Sequence, residues 1–60
     1  MRNLQDIIRL FNRVNSDCQS TGESVVPLTK SNIDYYTDQM TNLNFDYLEI
    51  ELFVNWLKTQ

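Results

Sequence analysis

Sixty residues with a net charge of −3 make a single small domain, and a chain of that length buries only about 60% of its unfolded surface, which leaves its fold near the limit of stability. The one cysteine, Cys18, excludes an intrachain disulfide, and one Cys without any His excludes a zinc site. The lack of His also removes Ser-His and Cys-His nucleophiles, and a single Gly cannot form a phosphate-cradling loop, so neither catalysis nor a cofactor or metal is expected.

A domain this small and without staples is expected to enlarge its core by self-association, as a homodimer; a monomer is the alternative. No stretch approaches about 18 apolar residues, so no membrane-spanning helix is expected. The chain begins at Met1 without a charged-then-apolar leader, and a lone Cys suits a reducing compartment, which points to the cytoplasm. Charge is unevenly spread. Arg2, Arg9 and Arg13 against Asp6 leave +2 over residues 1–14, while two lysines against seven acids leave −5 over residues 15–60.

Three helices are predicted, over residues 4–16, 30–42 and 45–58, in an all-α three-helix domain. In the first, Leu4, Ile7, Ile8, Leu10, Phe11 and Val14 share one face, and Gln5, Asp6, Arg9, Asn12 and Arg13 share the other. Asn3 is the candidate N-cap, since its side-chain oxygen can accept an orphan amide. Arg2, Arg9 and Arg13 fall within roughly 40° on a helical wheel and form a basic stripe. Asn15-Ser16-Asp17 signals the helix end. Residues 16–29, with the only Gly and the only Pro, read as a long loop, and its length means either a functional loop or a first helix that runs further, to Gln19. Within it Val25, Val26 and Leu28 are expected to tuck over the core, with Pro27 holding Val26 extended. Cys18 has Arg13 as its only cationic neighbour in the chain and is expected to be unreactive.

In the second helix, Ser31 followed by Asp34 reads as a capping box. Ile33, Tyr36, Met40 and Leu43 make a narrow apolar stripe. Asp34 and Asp38 form a solvated acidic face, two carboxylates being too few for a calcium cage. Tyr35 points away from the stripe and counts as a candidate contact, because aromatic rings are enriched at interfaces. Asn44 is the candidate cap of the third helix.

That third helix holds the only Trp and two of the three Phe. Residues 47–52 partly alternate with period two, which is a strand signal, but a run of about 14 residues without Gly or Pro favours a helix. On the wheel, Phe45, Leu48, Leu52 and Trp56 occupy one side. Tyr47, Ile50, Phe53, Val54 and Leu57 occupy the adjoining one, and Glu51, Asn55 and Lys58 leave a narrow polar strip. The apolar arc is roughly twice the width of about 100° found on an ordinary surface helix. The first side is assigned to the core, against Leu4, Ile8 and Phe11 of the first helix and Ile33, Tyr36 and Met40 of the second. Tyr47, Ile50, Val54 and Leu57 on the second side, together with Tyr35, are the candidate partner-binding residues.

Two functions follow from these residues. The first is a small non-enzymatic interaction module that acts by stoichiometric binding to a protein partner, as a regulator, inhibitor or adaptor. The second is a small DNA-binding transcriptional regulator. Residues 29–43 (Thr29-Lys30-Ser31-Asn32-Ile33 and onward) loosely resemble the recognition helix of winged helix-turn-helix repressors, which implies that Leu48–Val54 is wing strand. Against it, Lys30 is the only cation in that stretch, Asp34 and Asp38 would face phosphate, and a Pro-containing loop stands where the scaffold helix is expected.

Overall fold

The Asn3 side chain accepts the Asp6 amide at 2.9 Å and so starts the first helix, α1, over Leu4–Ser20. In the computed structural model, residues 1–60 form three α-helices: α1, α2 (Ile33–Asn42) and α3 (Tyr47–Leu57). A single 3-10 turn, Lys30–Asn32, leads into α2, and there is no strand.

α1 runs past the expected stop at Asn15-Ser16-Asp17. Its polar C-terminal residues are held by their own back-bonding. Ser20 donates to the Ser16 carbonyl at 3.0 Å, and the Thr21 hydroxyl donates to those of Asp17 and Cys18. The helix ends where Gly22 takes a left-handed φ of 80°, and the Glu23 amide folds back onto the Cys18 carbonyl at 2.8 Å. The loop is therefore residues 21–29, shorter than predicted. α2 closes in the same way. Asn44 takes a φ of 62°, and the Phe45 amide bonds back to the Met40 carbonyl at 3.0 Å. Asn44 is thus the terminator of α2 and not the cap of α3.

The cap of α3 is Asp46, with Glu49 three residues on reaching back to the Asp46 amide at 2.9 Å. The expected capping box at Ser31 and Asp34 does not form. The Ser31 hydroxyl bonds to Thr29 instead at 2.8 Å, and Asn32 holds the Pro27 carbonyl at 2.9 Å. Those bonds build the 3-10 turn, so α2 begins at Ile33 and not at residue 30.

α3 packs against both α1 and α2. The buried core is Ile7 and Phe11 from α1, Tyr36 and Met40 from α2, Phe53 and Leu57 from α3, and Phe45 just before α3. Its centre is aromatic. The Phe11 ring lies 4.9 Å from Tyr36 and 5.2 Å from Phe53, centroid to centroid, and Tyr36 lies 5.7 Å from Phe53. The loop is tied to this core. The Tyr36 hydroxyl donates to the Val26 carbonyl, and Asn15 Nδ2 donates to the same carbonyl at 3.0 Å. Burial raises the Tyr36 phenol pKa, so the ring stays a neutral donor. Val26 and Leu28 pack partly buried on the core, and Val25 stays exposed.

The two sides assigned to the third helix need correction. Phe53 and Leu57, both fully buried, point to the centre of the core, and Leu48 is 60% exposed. The core therefore meets the boundary between the two predicted sides. Phe45 stays inside and Trp56 packs at the edge, 5.6 Å from Phe53, while Leu48 and Leu52 turn outward. The physical reason is that α3 covers α1 and α2 together, so the middle of its broad apolar arc is buried and both margins remain. Accordingly, Phe53→Ala should cost about 3–5 kcal/mol, as expected for aromatic truncation in a core, and Leu48→Ala less than 1 kcal/mol, as is usual at a surface site (~0.5). Urea titration followed by circular dichroism measures both, with Trp56→Ala falling between them.

Candidate interaction surface

The five predicted contact residues are not brought to one surface. Tyr47 is 76% exposed on α3 and Tyr35 is exposed on α2, but Ile50 and Val54 are half-buried and Leu57 is fully buried. Leu57 drops out as a contact residue because it fills the core beside Phe53. Two other apolar surfaces stand open, and both draw on residues that sequence reasoning had placed inside.

The first lies on the outer flank of α3. Met1, Leu48 and Leu52, with Glu51 and Asn55, line a shallow groove of about 310 Å3. Leu48 and Leu52 are one turn apart and make an apolar ridge, and Glu51 is the charge set beside it. The second lies between α1 and α2. Phe11 and Tyr36 form its base, and Val14, Tyr35, Gln39 and Leu43 line a more enclosed pocket of about 240 Å3. Leu10, Val14, Tyr35 and Leu43 are all exposed. Leu43 lies outside the helical part of its own stripe because α2 ends at Asn42.

The predicted basic stripe is broken up. Arg2 precedes the cap and is not on the helix at all. Its guanidinium lies over the Phe45 ring, 4.7 Å from the centroid, and 3.8 Å from the Glu49 carboxylate. Arg9 pairs loosely with Asp6 at 3.9 Å, an exposed contact that adds less than about 1 kcal/mol. Arg13 makes no ion pair. Asp34 and Asp38 are likewise exposed and unpaired.

Glu49 is the one buried charged residue. Beyond the Asp46 amide it accepts the Arg2 backbone amide at 2.7 Å, so the chain's first residues are fastened to the start of α3. These two amides, Asp46's first and then Arg2's, hold its carboxyl below the usual carboxylate range, with the Arg2 guanidinium adding to the effect. Glu49 is assigned no role from the sequence. The signal that marks it is Asp46-x-x-Glu49, a capping pair directly before an apolar run. Cys18 sits half-buried in the last turns of α1. Burial, followed by the carboxylates of Glu23 and Asp17, pushes its thiol pKa up, which keeps it protonated and unreactive.

No three His, Cys, Asp or Glu side chains gather as a metal set, and no helix is long and apolar enough to cross a membrane. Comparison with protein-family models, with curated proteins and with solved structures finds no match.

The Glu49 contacts have a defined pH signature. A carboxyl held low in the folded state contributes stability above its unfolded pKa, and that contribution is lost as pH falls through the folded value. Glu49→Gln should therefore lower the melting temperature at neutral pH, and its gap to the parent protein should close in acid. Melting curves across that range check it; a gap that stays constant with pH would show that the carboxylate's charge plays no part.

Proposed function

We propose that this protein is a small non-enzymatic interaction module that binds a protein partner stoichiometrically, as a regulator, inhibitor or adaptor, and also self-associates. The observation that carries the reading is the ridge of Leu48 and Leu52 standing open beside Met1 on the flank of α3. Apolar side chains left together at a surface are a common mark of a binding site. Tyr47, on the same helix, adds an exposed ring of a kind enriched in interfaces.

The partner's chemistry follows from charge. Residues 31–57 carry Asp34, Asp38, Asp46, Glu49 and Glu51 and no cation, and Glu49 is already engaged by Arg2. A fitting partner presents an apolar ridge to Leu48 and Leu52 and a Lys or Arg to Glu51. The proposal sets the chain in a reducing cytoplasm, where a lone protonated Cys18 remains a thiol. DNA binding gains no comparable support. Leu48–Val54 is helical, so no wing strand stands beside α2, and Lys30 remains the only cation of residues 29–43.

The test compares the parent protein with Leu48→Asp as bait in an extract of its own host. Leu48 is exposed near the start of α3, where an acid suits the helix dipole, so the variant should keep its circular dichroism spectrum. The parent is expected to retain one protein in stoichiometric amount that is absent from the variant. Equal retention by both, or no specific protein on either, rejects the reading.

A further inference from the structure

We propose that residues 1 and 2 form a strap that builds the groove on α3, and that the bond from the Arg2 amide to Glu49 holds it in place. The proposal rests on the reading above, in which this groove meets the partner, and adds what gives the groove its shape.

Four of the five lining residues belong to α3: Leu48, Glu51, Leu52 and Asn55. Their spacing of three, four and seven residues from Leu48 puts them on one stripe of one helix. A stripe on a single helix is convex, so by itself it makes a ridge and not a groove. Met1 is the fifth residue and the only one from outside α3. It supplies the second wall and the third apolar side chain. Its thioether chain is unbranched and flexible, a kind of surface that moulds to a partner's shape.

Met1 is 79% exposed, so its own packing does little to hold it, and its position is inherited from Arg2. Asn3 is extended, with φ −83° and ψ 167°, and caps α1, so the chain before it leaves the helix. Arg2 then reaches across to α3. Its amide donates to Glu49 Oε2 at 2.7 Å, and its guanidinium lies 3.8 Å from the same oxygen and 4.7 Å from the Phe45 ring centroid. Glu49 is aimed by the α3 cap, because its other oxygen, Oε1, accepts the Asp46 amide at 2.9 Å.

The amide is the stronger of the two holds at Glu49. A hydrogen bond to a carboxylate is roughly twice as strong as one to a neutral acceptor, and this carboxylate is buried. The guanidinium is 57% exposed and beyond hydrogen-bond distance, so solvent screens its attraction. Both Glu49 oxygens are in use, one for the cap and one for the strap. A Gln at this position keeps one oxygen and turns an NH2 group toward the other amide. The cap is local, three residues apart, and Gln serves it too, so the strap is the contact that lets go. Groove and ridge are two states of one surface, set by one hydrogen bond.

The experiment is nuclear magnetic resonance on the full chain with its methionine and leucine methyls labelled. In the parent, the Met1 methyl should show nuclear Overhauser contacts to the methyls of Leu48 and Leu52. The Arg2 amide should exchange with solvent at least roughly tenfold more slowly than in Glu49→Gln. Arg2→Ala keeps the amide and should preserve the Met1 contacts. Arg2→Pro, which has no amide hydrogen, and Glu49→Gln should both lose them. The methyl of Met40, fully buried in the core, should not shift in any variant and reports that the fold is intact. A parent without the Met1 contacts overturns the proposal, as does their survival in Arg2→Pro or Glu49→Gln. Their loss in Arg2→Ala would make the side chain the hold and reject the amide. Failure here removes the strap and leaves the Leu48→Asp comparison in host extract unaffected, because that comparison reads Leu48 itself. Failure of that comparison removes the partner and leaves the Met1 contacts as measured.

Discussion

Phe11, Tyr36 and Phe53 each come from a different helix and meet in one aromatic junction. The rest of the structure depends on that meeting. Eight residues are buried in the whole chain, so no second cluster exists that could hold the helices if this one came apart. Ile7, Met40 and Leu57 fill the space around the rings, and Phe45 and Trp56 flank them. Burial of Phe53 also fixes the rotation of α3 about its own axis. Every exposure on that helix follows from this rotation, including the outward turn of Leu48 and Leu52.

A core of this size also needs its polar edges closed, because an unpaired polar group costs as much as a buried side chain contributes. Two devices close them. At one edge the Val26 carbonyl takes bonds from Tyr36 and Asn15, which draws the loop over the aromatic junction. At the other, Glu49 accepts amides from Asp46 and Arg2, while the Arg2 guanidinium covers Phe45. No buried side-chain nitrogen or oxygen is left without a partner. The first ties the loop to α1 and α2, and the second ties the start of the chain to the start of α3, 47 residues away.

Two apolar surfaces remain once the core is closed, one on the outer flank of α3 and one between α1 and α2. They do not share residues. In the proposed reading the flank of α3 is the one that meets a protein partner. So short a sequence carries more large apolar side chains than its own core absorbs.

Much was legible in the sequence alone. The all-α class, the three helices, the Asn3 cap and the buried stripe of Ile7, Phe11, Tyr36 and Met40 follow from local periodicity and local hydrogen bonding. The excessive width of the apolar arc on the third helix was visible as well. What only the tertiary structure decided is which part of that arc faces inward. A helix apolar over half its circumference has no preferred rotation by itself; packing against α1 and α2 together selects the middle, at Phe53 and Leu57. The basic stripe failed for a related reason. Wheel geometry assumes a residue is on the helix, whereas Asn3 ends the helix before Arg2 and leaves that side chain free for Glu49 and Phe45. Local chemistry thus determined that there are three helices and how much apolar surface they carry, and the junction of three rings determined which of that surface stays exposed.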